Sequence, residues 1–104
     1  MADLKAKLLA QLRAIPGVEE RPSPVAGGTA LVYHGKEFAH FHSSHELDLR
    51  LTKKVIRALN LSHPSDSLCH PGRSPNSPWI EVRFHEPADL DRVVQLVRLA
   101  VAEL

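Results

Sequence analysis

Cysteine is nearly absent from this chain. Cys69 is the only one, so no internal disulfide framework is available, and a lone thiol fits a reducing compartment. Long apolar runs are missing as well. No stretch approaches the roughly 18 apolar residues that a membrane span requires. The opening Met1-Ala-Asp-Leu-Lys-Ala-Lys7 alternates charged and apolar residues, unlike the continuous hydrophobic segment of a signal peptide. The expectation is a cytoplasmic protein with no membrane partner. An excess of charge is lacking too: 13 basic side chains against 12 acidic ones leave a formal net charge of +1. The basic residues are scattered without aromatic interleaving, so the electrostatic footprint of a nucleic-acid binder is missing. Gly27-Gly28 is not followed by the Gly-x-x-x-x-Gly-Lys spacing of a phosphate-cradling loop. Internal repeats and linkers are absent.

What is present is an ordinary globular composition, 43% hydrophobic and 24% charged, over 104 residues. That length corresponds to one domain, 1–104, able to bury roughly two-thirds of its unfolded surface. Seven histidines are many for this length.

Periodicity orders the chain as α-β-β-β-β-α-β-α. Leu4, Leu8, Leu12 and Ile15 recur at helical steps over Asp3 to Ile15, with Asp3 as N-cap and Pro16-Gly17 as terminator. Val18 to Arg21 reads as a short edge strand stopped by Pro22-Ser-Pro24. Thr29 to His34 is rich in β-formers, and Gly35-Lys36 turns it into a strand over Glu37 to His42. In Glu46 to Leu51, Leu47, Leu49 and Leu51 alternate with Glu46, Asp48 and Arg50, giving one dry and one polar face. Thr52 caps a short helix, Lys53 to Leu59. The segment from Asn60 to Pro78, with four prolines, is a long loop of the kind that is usually functional. Trp79 to Phe84 is the last strand. Pro87 opens a final helix whose buried stripe reads Leu90, Val93, Val94, Val97, Val101 and Leu104. The fold class is therefore α+β: an antiparallel sheet of four to five strands with helices packed on one face. The opposite face is expected to display His40 and His42, then Glu46, Asp48 and Arg50, then Trp79, Glu81 and Arg83. Phe38 conflicts with this, because it shares parity with the histidines.

The sharpest chemical feature is His40-x-His42-x-x-His45. Two imidazoles two residues apart share a strand face, and the Ser43-Ser44 turn brings a third close to them. Three such nitrogens can converge on a metal, and catalytic zinc commonly takes three protein ligands and a water. Asp48 or Glu46 could orient a ligand imidazole from behind, and His70 could join from the loop. A second reading makes one histidine a general acid or base with Arg83 holding an anion. The bland reading keeps the histidines as polar residues of a strand and Arg83 in a surface ion pair. Cys69 next to His70 is poorly placed for a thiolate pair. Trp79, at the mouth of the long loop, could line a ligand pocket; Tyr33 reads as packing.

Several of these residues together resemble a known family. Gly35-Lys-Glu-Phe-Ala-His40-Phe-His42, the leucine-alternating strand, His70-Pro71, Trp79-Ile-Glu-Val-Arg83-Phe and the helix Asp89 to Ala100 are similar to the small luciferase-like domain found in bacteria and fungi. The resemblance covers the chain from Gly28 onward, with a compatible first helix. It implies that His40, His42, His70, Trp79 and Arg83 are recurring positions, and these five are the candidate ligand-binding residues. His45 matches a later histidine of fungal members that bacterial members lack. The label does not establish light emission. Three functions stay open: a small-ligand or anion-binding module using the polar sheet face and the loop before Trp79; a metal-dependent or histidine-based enzyme at His40, His42 and His45, with zinc as the metal; and a protein-interaction domain. Oligomeric state is not legible.

Overall fold

The computed structural model describes residues 3–22, 28–64, 66, 73, 74 and 76–104. The eight elements occur in the expected order: α1 (Leu4–Arg13), β1 (Val18–Pro22), β2 (Thr29–Tyr33), β3 (Lys36–Phe41), β4 (Glu46–Arg50), α2 (Lys53–Ala58), β5 (Trp79–Arg83) and α3 (Asp89–Ala102). The five strands form one sheet in the order β1-β2-β3-β4-β5, every neighbouring pair antiparallel.

Local chemistry explains the element ends. Asp3 Oδ1 accepts hydrogen bonds from the N–H groups of Lys5 (3.0 Å) and Ala6 (3.3 Å), starting α1. The helix stops at Arg13, two residues short of Ile15, yet Ile15 is still buried from the following turn. Gly17 there has φ +87°, and a Cβ would lie 2.6 Å from the Tyr33 ring. The β2–β3 turn is centred on His34-Gly35 rather than Gly35-Lys36. Both residues have positive φ (49° and 84°), and Tyr33 pairs with Lys36. Positive φ at both central residues is what a two-residue hairpin turn matching strand twist demands. Strand β2 therefore ends at Tyr33 and leaves His34 in the turn.

The Phe38 conflict is resolved by a β-bulge. Ala30 pairs with His40 and Leu31 with Ala39, but Val32 pairs with Glu37, so Phe38 is the extra residue on β3. The bulge breaks the period of two, and Phe38 enters the hydrophobic core together with Ala39 while His40 stays on the other face. That core lies between the sheet and the helices α1 and α3. It includes Leu8, Leu12, Leu31, Leu47, Leu49 and Val97, with Val55 and Ile56 of α2 packed at its margin. On α3 the most deeply buried stripe is Leu90, Val93, Leu96, Val97 and Ala100. Val94, Val101 and Leu104, expected in the same stripe, are partly buried and packed against the core.

Candidate functional site

Register brings the polar positions of three strands into one row. His40 pairs with Asp48 across β3–β4, and Asp48 pairs with Glu81 across β4–β5. The neighbouring Ala39–Leu49–Ile80 row faces the core. The polar positions thus share a face, as alternation suggested, but that face is not simply solvated. Asp48 is 1% exposed and Glu81 3%. Carboxylates so deeply buried require partners, and each has an arginine and a histidine.

Asp48 is gripped bidentately by Arg73. Nη1 donates to Oδ1, and Nη2 donates to Oδ2 at 2.9 Å. The same Oδ2 lies 3.3 Å from His40 Nε2 and 4.0 Å from His42 Nε2. Glu81 is held by Arg83, whose Nε donates to Oε2 at 3.1 Å, while Glu81 Oε1 stands 3.7 Å from His42 Nδ1. His42 therefore lies between the two acids. Arg83 also donates to Asp66 (2.9 Å) and stands 3.8 Å from Glu46. The hydrogen bond from Arg83 and its charge hold the Asp66 carboxyl below its usual range, and Asp66 in turn raises the Arg83 guanidinium. Both arginines are thus already matched with carboxylates.

Trp79 begins β5, where the Leu51 and Thr52 N–H groups both donate to Pro78 O and dock the strand start beside the end of β4. Its ring stacks at a tilt on His40 at 5.3 Å, and His40 lies 5.1 Å from His42. The His40 Nδ1 atom is buried and makes no hydrogen bond among the described residues. Behind Trp79 is a cavity of about 400 Å³ with apolar walls from Ile56, Leu61 and Ile80 and polar ones from His63, Arg73 and Trp79. His63 Nδ1 accepts the Glu81 backbone N–H at 3.4 Å, which places the proton of the neutral ring on Nε2. Among the described residues Arg83 lines a neighbouring cavity that shares Leu61, Ser62, Pro64 and Ile80 with the one lined by Trp79. Arg83 also lines a more open depression with Ser43, His45, Glu46, Asp66 and His85.

The expected site residues are therefore divided. His40, His42 and Trp79 come together, and Asp48 joins them. His45 stands apart: its Nδ1–H donates to Phe84 O at 3.3 Å, and its ring stacks on His85 at 5.4 Å. Among the described residues, the group whose possible ligand atoms lie within 4.8 Å of one another is His40, His42 and Asp48. His70, with Cys69, lies outside the described residues. The residues that sequence reasoning passed over are Arg73 and His63, and Glu81 as a buried acid. A basic residue in a proline-rich loop carries no signal of the strand it will meet.

Comparison with known families adds one match. The luciferase domain model aligns with residues 35–100, more than half of the chain. This chain belongs to the luciferase domain family. No curated protein and no solved structure matches it. Within this luciferase domain the matched part opens at Gly35, so the whole His40–Asp48–Glu81 row, Trp79 and most of α3 lie inside it. The segments α1, β1 and β2 precede it. No helix among the described residues is long and apolar enough to cross a membrane.

Proposed function

We propose that this luciferase domain is a small-molecule-binding module whose ligand occupies the cavity behind Trp79. The observation that carries the reading is the cavity itself. Its volume of about 400 Å³ lies within the range of small-ligand sites, and it combines apolar walls with a few placed polar groups. The ligand class follows from the charges. Arg73 is committed to Asp48, and Arg83 is committed to Glu81 and Asp66, so neither guanidinium is available to a free anion without breaking a pair. A flat, uncharged aromatic or heteroaromatic compound fits better. It would lie against Trp79 and hydrogen-bond to His63 or the Ser62 and Ser77 hydroxyls on the rim.

A protein-interaction role has less support. Among the described residues the large apolar side chains left exposed are Leu59 (44%) and Leu99 (41%), and two single side chains do not make a docking patch. The outer strand β1 presents Glu19, Glu20, Arg21 and Pro22, a charged and proline-ended edge that discourages strand addition.

Trp79 is the only tryptophan, so its fluorescence reports directly on the cavity. In a screen of heteroaromatic fragments, binders are expected to quench Trp79 and raise the melting temperature. Ser62→Phe, which fills the rim, is expected to weaken them by about tenfold or more, the scale of a lost hydrophobic contact set. Fragments that bind Ser62→Phe as well as they bind the wild type would remove the cavity from consideration.

A further inference from the structure

We propose that His40 Nε2, His42 Nε2 and Asp48 Oδ2 form a three-ligand site for a divalent transition-metal ion of the zinc class, with Glu81 as the carboxylate behind His42. The inference goes beyond the cavity reading and does not depend on what the cavity holds.

Three observations converge on it. The first is spacing. Ligands about 2.1 Å from a tetrahedral centre lie about 3.4 Å from one another. His40 Nε2 is 3.3 Å and His42 Nε2 4.0 Å from the same Asp48 oxygen, and all three donors lie within 4.8 Å.

The second is the arrangement behind the donors. A metal-bound histidine commonly gives its other ring N–H to a carboxylate, and a metal-bound carboxylate is itself hydrogen-bonded. His42 turns Nδ1 toward Glu81 Oε1 at 3.7 Å, Glu81 is fixed by Arg83, and Asp48 is fixed by Arg73. With the His42 proton on Nδ1 toward Glu81, its Nε2 lone pair faces the Asp48 oxygen.

The third is charge. Asp48 and Glu81 place two buried carboxylates beside the two imidazoles. A cation is attracted to that acidic row, whereas an anion is repelled by it. The site differs from the three-histidine set suggested by sequence, because Asp48 takes the place of His45. Two imidazoles and one carboxylate leave at least one coordination position for water, as in catalytic zinc sites.

The test uses the full chain, stripped with chelator and dialysed against zinc or cobalt(II). The expected result is one equivalent of bound metal, a visible cobalt(II) band of tetrahedral type, and a higher melting temperature. His40→Gln and His42→Gln are each expected to abolish stoichiometric uptake, while His45→Ala leaves it intact. Glu81→Gln is expected to weaken zinc binding by about 10- to 100-fold. Should the histidine variants fail to fold, histidine ring NMR signals of the wild type decide. Cobalt(II) at one equivalent is expected to shift or broaden the His40 and His42 signals first. Uptake well below one equivalent, uptake unchanged in folded His40→Gln, or first perturbation of His45 would each overturn the assignment. Metal uptake without fragment binding would leave the metal site standing and refute only the cavity reading; the converse pattern would do the reverse.

Discussion

At the scale of single residues, Asp48 carries the most consequence. It sits between leucines on β4, where alternation alone assigns it to water, yet it is buried and shared by Arg73, His40 and His42. Removing one partner of such a pair strands the other charge, at a cost of about 3–5 kcal/mol. Asp48→Ala is accordingly expected to lower unfolding stability by about 3 kcal/mol in urea melts. Replacing both partners, Asp48→Asn with Arg73→Met, is expected to recover most of that loss; an Asp48→Ala protein as stable as wild type would contradict the buried pairing. The sequence allowed the common face of His40 and His42 to be read, because strand parity is a local property. It did not reveal that this face is covered, because the covering group, Arg73, is 25 positions away from Asp48 and nothing in the chain's periodicity couples them.

At the scale of elements, every helix and strand was legible, since each carries its own period and its own stop residues. The discrepancies are local. The His34-Gly35 turn displaced a strand end by one residue, and the bulge moved Phe38 to the core. The start of α3 shows how such an end is built. Asp89 Oδ2 accepts the backbone N–H groups of His85 (3.0 Å) and Glu86 (3.1 Å), a reach back across the first turn like that of a capping box. Those two hydrogen bonds, His85 first, hold the Asp89 carboxyl below its usual range. A carboxyl depressed in the folded state adds stability above its unfolded value of about 3.9, and that contribution is lost as pH falls through the lower folded value. Asp89→Ala is therefore expected to melt at a lower temperature than wild type at pH 7. The difference should shrink below about pH 4; a gap that stays constant down to strongly acidic pH would show that the carboxylate is not responsible.

At the scale of the whole molecule, the family match begins at Gly35, but the folding unit does not. Leu8 and Leu12 of α1 and Leu31 of β2 are fully buried in the core that β4, β5 and α3 complete. A chain trimmed to 35–104 exposes that surface and the open edge of β3. It is expected to lose the cooperative thermal transition followed by circular dichroism; a sharp melt near that of the full chain would mean that the first three elements are dispensable. Strand order in the sheet follows strand order in the sequence, so most pairings close short loops, and the exception is the return from β4 through α2 to β5. The three candidate ligands all fall within residues 40–48, on either side of one tight hairpin, whereas Arg73 comes from that long return and Trp79 and Glu81 from the strand after it. Closing a short loop costs less chain entropy than closing a long one. The inner donors can thus be gathered by the β3–β4 hairpin while the chain is still incomplete. The groups that bury, orient and neutralise them come from the return and the last strand, so the donors are local to one hairpin while their setting depends on the whole sheet.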